Sequence, residues 1–294
     1  MDELVIISGK GGTGKTSVAA SLAVLASGAV IADCDVDAAD LHLVLSPTVR
    51  ERHEFLSGNE AVIRPDECTR CGLCHAYCRF GGVTRESGGG YAIDPTSCEG
   101  CGVCVRFCPA RAIDFPERRC GEWMVSDTRC GPMVHARLGV AAENSGKLVT
   151  TVRREAQRIA KEEDRSLIIV DGPPGIGCPV IASVVGASTV LAVTEPTVSG
   201  SHDLERLLAL TKHFGIPTAV CVNKWDINPA MTAAIELKAR ETGARAVGRI
   251  RYDTTVTRAQ VAGKTVVEMD GPAKADIIHV WDQIRQRRGT DGER

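Results

Sequence analysis

The stretch Leu4-Val5-Ile6-Ile7-Ser8-Gly9-Lys10-Gly11-Gly12-Thr13-Gly14-Lys15-Thr16-Ser17 decides the fold. A short apolar run leads straight into a glycine-rich loop that ends in Lys15 and Thr16, the pattern G-x-x-x-x-G-K-[ST] with a strand before it and a helix after it. Gly9, Gly11, Gly12 and Gly14 permit a tight turn in which successive backbone N–H groups, from Thr13 through Ser17, face a phosphate chain. Lys15 is expected on the outer phosphates and the Thr16 hydroxyl on magnesium. A merely flexible Gly-rich turn would need this spacing to arise by chance beside an apolar strand.

Outward from the loop, residues 17–26 are rich in Ala, Leu and Val and read as a helix, broken at Gly28 before a second strand over 29–32. Strand, loop, helix and strand make an opening βαβ unit. Asp33-Cys34-Asp35-Val36-Asp37-Ala38-Ala39-Asp40 follows, at the strand end where open α/β sheets hold their ligands. Four carboxylates in eight residues exceed the needs of a solvated turn. Later, residues 167–171 form a buried apolar strand ending in Asp171, followed by Gly172-Pro173-Pro174-Gly175. A carboxylate there suits a magnesium holder acting through water, and a glycine in the next turn, Gly175, can sense the γ-phosphate. Strands over 189–193 and 218–222, with a helix carrying Leu204, Leu207, Leu208 and Thr211 between them, continue the rhythm. The expected fold is an α/β P-loop NTPase with a mostly parallel, doubly wound sheet. Asn223-Lys224-Trp225-Asp226 follows the 218–222 strand and reads as a base-binding segment for either guanine or adenine.

From about residue 60 the composition changes. Cys68-x2-Cys71-x2-Cys74-x3-Cys78 recurs thirty residues later as Cys98-x2-Cys101-x2-Cys104-x3-Cys108-Pro109. This is the bacterial ferredoxin spacing, in which three close cysteines hold one cubane and the fourth ligates the other. The expected sets are Cys68, Cys71, Cys74 and Cys108 for one [4Fe-4S] cluster, and Cys98, Cys101, Cys104 and Cys78 for the second. Zinc is the competing reading of C-x2-C pairs. Arg79 follows Cys78, where Cys108 has the usual proline. So small a module buries little apolar surface, and the clusters would serve as its core. The expected division is an ATPase domain over 1–59 and 118–288, a small α+β ferredoxin-like insertion over 60–117, and a disordered tail over 289–294.

Gly9-Lys10-Gly11-Gly12-Thr13-Gly14-Lys15-Thr16 resembles the deviant Walker A box of the MinD/ParA/Mrp ATPases, relatives of nitrogenase iron protein. The resemblance implies that Lys10 reaches across a dimer interface to a partner's nucleotide, so ATP is sandwiched between two subunits, of one kind or of two paralogues. It further implies that Asp35, ahead of Asp33, Asp37 and Asp40, lies near magnesium and the attacking water, that Asp171–Gly175 is the second switch, and that Asn223, with Asp226, contacts adenine. Arg251 stands where proline is usual in the last nucleotide-side loop. The nested cysteine module resembles MinD-type ATPases with an inserted ferredoxin domain. Two roles follow for such a protein: nucleotide-gated electron transfer to a metalloprotein partner, or assembly and delivery of an iron-sulfur or other metal cofactor.

At 294 residues, 44% of them hydrophobic and few aromatic, the chain can bury a large aliphatic core. A net charge of −2, with no long Lys/Arg tract, gives no electrostatic reason to expect nucleic acid. No apolar run approaches the roughly 18 residues of a membrane span. Thirteen cysteines without a leader pattern indicate a cytoplasmic, metal-binding chain and not a disulfide scaffold. Cys34, Cys120, Cys130, Cys178 and Cys221 lie outside the ferredoxin spacing and read as packing residues. Residues 273–288 place Ile277, Val280, Trp281 and Ile284 on one face of a closing helix.

Overall fold

The structure, a computed structural model, describes residues 1–139 and 145–290. It opens with β1 (Asp2–Ser8), α1 (Lys15–Ala26), β2 (Val30–Asp33), α2 (Leu41–Leu45) and β3 (Thr48–Asn59). A cysteine-rich stretch follows, with β4 (Val62–Ile63), α3 (Leu73–Tyr77), β5 (Val83–Arg85), β6 (Tyr91–Ile93), α4 (Val103–Arg106) and β7 (Ile113–Asp114). Then come β8 (Glu117–Thr128), β9 (Gly131–Leu138), α5 (Ser145–Glu162), β10 (Leu167–Pro174), α6 (Cys178–Val184), β11 (Thr189–Thr194) and α7 (Val198–His213). The chain closes with β12 (Thr218–Asn223), α8 (Pro229–Glu241), β13 (Arg245–Ile250), α9 (Thr255–Val261) and α10 (Pro272–Thr290).

Nine strands form one sheet in the order β13-β12-β11-β1-β10-β2-β9-β8-β3. From β13 to β9 every recorded neighbour pair is parallel. β1, hydrogen-bonded on both sides, is buried from Leu4 to Ile7, and such an unalternating apolar run is what a strand covered on both faces requires. The order reverses around β1, which puts the loop after β1 at the switch point, open at the strands' carboxyl ends. α10 closes one face with Ile277, Val280, Trp281 and Ile284, all buried, as its spacing requires.

Several boundaries differ from the sequence reading. β10 continues through Gly172-Pro173-Pro174, because Ser8 pairs with Pro174 and Gly175 N–H donates to the Ser8 carbonyl at 2.8 Å; the turn starts at Gly175. Trp123 lies within the twelve-residue β8, which has a sheet neighbour on each side. α10 runs past 288 to Thr290, and residues 291–294 of the expected disordered tail lie outside the described residues.

The chain divides into two compact units. The first comprises Met1–His53, Trp123–Arg137 and the chain from Ser145 onward; the second comprises Glu54–Glu122 and the short stretch after Arg137. The core of the second unit is small: Ala61, Cys74, Val83 and Ile113 are buried, with Cys78, Cys98, Cys104 and Cys108 packed around them. β4 pairs antiparallel with β7, and β5 with β6. Gly72 and Gly102, one residue after the second cysteine of each run, have φ of 77° and 71° and open α3 and α4. A residue with a Cβ is strained there, so the sequence repeat is also a repeat of conformation.

In the first unit, Glu3 is buried and accepts a hydrogen bond from Arg153 Nε at 2.7 Å, while Arg153 Nη1 donates to the carbonyls of Ala182 and Val185. Removing one partner strands a buried charge. Arg153→Ala is expected to lower the unfolding free energy of this unit by about 3–5 kcal/mol, read as a shift of the urea midpoint.

Candidate nucleotide and cysteine sites

The loop after β1 lines a cavity of about 510 Å³, to which Gly11 through Ser17, Asp35, Asp40, Asn223 and Tyr252 contribute. That volume suits a nucleotide-sized ligand. Gly14 has φ 88°, and a Cβ there would lie 2.3 Å from Asn223 Nδ2, so the position excludes a side chain on both counts. Asn223 Nδ2 donates to the Thr13 carbonyl at 2.7 Å and its Oδ1 accepts from Lys224 N–H at 3.0 Å. The end of β12 is thereby bolted to the phosphate loop.

Behind the cavity sits a buried charge cluster. Lys15 Nζ lies 2.6 Å from Asp171 Oδ1, 3.4 Å from Asp35 Oδ2 and 3.4 Å from Thr16 Oγ1. Burial alone would push the Lys15 ammonium down, but the charges of Asp171 and Asp35 outweigh it and hold it above its ordinary value. Burial pushes Asp33 well above the usual carboxylate range, Asp171 adding its repulsion against the pull of Lys15. Burial also leaves Asp35 raised, with Lys15 opposing it. Three buried side-chain oxygens here have no hydrogen-bond partner: Thr13 Oγ1, Asp33 Oδ2 and Asp171 Oδ2. Orphaned carboxylate oxygens beside a hydroxyl are the donor set a hydrated Mg2+ takes, since that ion favours oxygen ligands and keeps several waters. Asp171 supplies one such orphaned oxygen, and Thr16 Oγ1 and Asp35 Oδ2 lie beside it around Lys15 Nζ, a hydroxyl and a carboxylate of the same kind.

Gly9, Lys10, Asp171, Gly175 and Asp226 do not line the cavity itself. Lys10 Nζ is held within its own chain, 2.7 Å from Glu195 Oε1 and 2.8 Å from Ser199 Oγ. Glu195 also meets Lys224 Nζ at 3.1 Å, and Lys224 donates to the Gly12 carbonyl. Although burial opposes it, hydrogen bonds from the two lysines hold the Glu195 carboxyl below its usual range. Asp226 Oδ1 accepts from Tyr252 N–H at 2.7 Å and so fixes the loop after β13. Arg251 lines the cavity, but its guanidinium is committed to Asp276 at 2.7 Å. Sequence reading missed Glu195, Lys224 as a lining residue, Tyr252, and Thr257 and Gln260 of α9; only Tyr252, an aromatic at a strand's carboxyl end, carried a local signal.

Two further cavities lie in the second unit. Cys68, Cys71, Cys74 and Cys108 line one; Cys78, Cys98, Cys101 and Cys104 line the other. Arg70 N–H donates to Cys68 Sγ at 3.4 Å and Ala112 N–H to Cys108 Sγ at 3.3 Å. Among the described residues no three His, Cys, Asp or Glu side chains close on a single ion. Four cysteines to each cavity match the one thiolate per iron that a cubane takes. Of the other cysteines, Cys34, Cys120, Cys130 and Cys221 are buried, but Cys178 is exposed, because α6 buries Val180, Ser183 and Val184 instead. Packing is not its role.

A phosphate loop at the switch point of a parallel sheet, backed by a lysine and carboxylates, defines a P-loop nucleotide-binding protein. The family description "CobQ/CobB/MinD/ParA nucleotide binding domain" matches residues 4–266, and the chain belongs to this family of ATPases. An uncharacterized protein of Methanocaldococcus jannaschii is 34% identical over 229 residues, 77% of this chain and 79% of its own length. The iron-sulfur ATP-binding protein of light-independent protochlorophyllide reductase from Chloroflexus aggregans is 29% identical over 55 residues, 19% of this chain and 20% of its own. Among solved structures, the MinD of Pyrococcus horikoshii in complex with Mg-ADP has a TM-score of 0.59 at 15% identity, covering 100% of this chain and 99% of its own. The cell division ATPase MinD of Pyrococcus furiosus gives 0.57 at 16%, covering 97% and 98%. At these identities the likeness is one of fold. No described helix is long and apolar enough to cross a membrane.

The raised carboxyl of Asp33 makes a signed prediction. Its native form binds a proton more tightly than the unfolded chain, so stability falls as pH rises from the ordinary value of 3.8 through the raised one. Asp33→Asn is expected to raise the melting temperature of the nucleotide-free protein at pH 7 and to lose that advantage below about pH 4, as thermal melts across pH will read.

Proposed function

We propose that the chain works as a dimeric, Mg-dependent ATPase switch whose nucleotide state gates electron transfer through two [4Fe-4S] clusters to a metalloprotein partner. The observation carrying this reading is that the eight ferredoxin-spaced cysteines line two separate cavities, four to each, in the crosswise sets expected for two cubanes. The short similarity to an iron-sulfur ATP-binding reductase subunit supports it.

Lys15 is paired with Asp171 and Asp35. With ATP bound, the Lys15 ammonium would pair with the outer phosphates, and Thr16, Asp35 and Asp171 are the residues that would hold the metal. Bound Mg2+ would neutralise charge on the phosphate oxygens, and the clusters would supply one-electron chemistry. The loop amides from Gly11 to Thr16 bind the phosphates, and Asp35 positions water for in-line attack. Catalysis is then mostly electrostatic, and no side-chain general base is required. Asp171 lies in β10, which runs on to Pro174 and is followed by Gly175, whose N–H donates to the Ser8 carbonyl. A change of partner at Asp171 thus reaches the switch turn through one strand. Lys10 leaves Glu195 when it reaches the nucleotide of a second subunit. Asn223 and Tyr252 are the base-side contacts.

Anaerobic purification is expected to yield about eight iron and eight sulfide per chain. Cluster potential or reduction rate should shift on adding Mg-ATP; identical redox behaviour with and without nucleotide overturns gating. Transfer of iron and sulfide to an apo-acceptor would favour a carrier role instead. Lys10→Ala should abolish ATP-dependent dimer turnover and leave iron content intact, and normal turnover in that variant removes the shared-nucleotide arrangement. Lys15→Ala is expected to weaken Mg-ATP binding on the order of a hundredfold by calorimetry.

A further inference from the structure

Tyr77 and Phe107 stack on each other at the surface of the second unit, ring centroids 4.7 Å apart and planes 28° from parallel. Tyr77 is 48% and Phe107 47% exposed, with Phe80 at 52% and Leu73 at 38% nearby in sequence. Single exposed apolar residues are ordinary, but a contiguous aromatic pair with further apolar neighbours marks an interaction surface. Each ring immediately precedes the fourth cysteine of its run, Cys78 or Cys108, and these two cysteines line different cavities. Neither nucleotide binding nor thiolate ligation uses the rings.

Charge along the two flanking segments of sequence is one-sided. Residues 68–85 and 100–113, the two arms that carry α3 and α4, contain Arg70, Arg79, Arg85, Arg106 and Arg111 and no Asp or Glu. The carboxylates of this unit lie in the segments before, between and after those arms. Arg79 and Arg106, beside the rings in sequence, are exposed and make no ion pair among the described residues. Over 54–122 the arginines number eight against ten Asp and Glu, so the basic character belongs to the arms alone. A nucleic acid or an anionic membrane needs a broad positive surface. An aromatic centre rimmed by arginine is the composition of a protein interface.

We propose that the Tyr77–Phe107 face docks a small acidic protein, whose carboxylates meet Arg79 and Arg106 around the two rings. For its purpose this rests on the cluster reading, since a partner seated there lies beside the fourth ligand of each set. A patch this small makes a transient contact, oriented by charge and readily released.

The test uses the full chain, purified anaerobically, with an acidic flavodoxin as probe and the basic cytochrome c as control, binding being measured by calorimetry at two salt concentrations. Salt-sensitive binding to flavodoxin is expected, weakened about tenfold or more in Arg79→Glu/Arg106→Glu and comparably in Tyr77→Ser/Phe107→Ser. Iron and sulfide contents should stay at the wild-type level, and Tyr77→Phe should retain affinity. Absent binding to flavodoxin, unchanged affinity in both double variants, or preference for cytochrome c, single-stranded RNA or anionic vesicles overturns the docking surface. A wild-type chain without iron that still binds flavodoxin through these residues would sink the cluster reading and leave the surface standing.

Discussion

A buried lysine ammonium among three carboxylates is the constraint on which the ATPase unit depends. Taking such charges out of water is costly unless each finds a partner. Lys15 is satisfied because parallel pairing sets Ile6 opposite Asp171 and Asp171 opposite Asp33, so the carboxyl ends of β1, β10 and β2 converge just beneath the first turn of α1. The register that packs Leu4 to Ile7 into the core is the same register that aligns these charges. Core and site are therefore one construction, and a slip of β1 by a residue would destroy both.

The balance at this cluster is incomplete by design of the fold. One oxygen each of Asp33 and Asp171, and the hydroxyl of Thr13, lack partners, and Asp33 is held well above its usual range by burial and by Asp171. Such groups are stored cost that a bound phosphate chain and divalent cation would relieve, which is one way a ligand acquires different affinity for two states of its receptor. Glu195 plays the corresponding part for Lys10 and Lys224, offering both lysines a partner within their own chain.

The two units meet the problem of stability differently. The first buries a continuous aliphatic core on a long sheet. The second has a core cluster of four buried side chains with four cysteines packed against it, a core too small to hold short two-stranded sheets unaided. Filling the two cysteine-lined cavities would give that unit the interior it otherwise lacks. With rigidity supplied by the proposed ligation, its surface would be free to carry exposed aromatics.

The phosphate loop, the parallel α/β class and the two crossed cysteine sets were legible in the residues because each rests on local spacing: turns that need glycine, strands that need unbroken apolar runs, thiolates that need short spacers. The cis partnership of Lys10 with Glu195, the commitment of Arg251 to Asp276, the exposure of Cys178 and the entry of Tyr252, Thr257 and Gln260 into the cavity were not legible. These join residues far apart in the chain, and strand order alone decides which of them meet. By itself the sequence determined which local patterns the chain carries, a phosphate loop and two runs of ferredoxin-spaced cysteines. Only the tertiary structure decided how the residues of those patterns are held, because a buried charge takes whichever partner the packed sheet brings within reach.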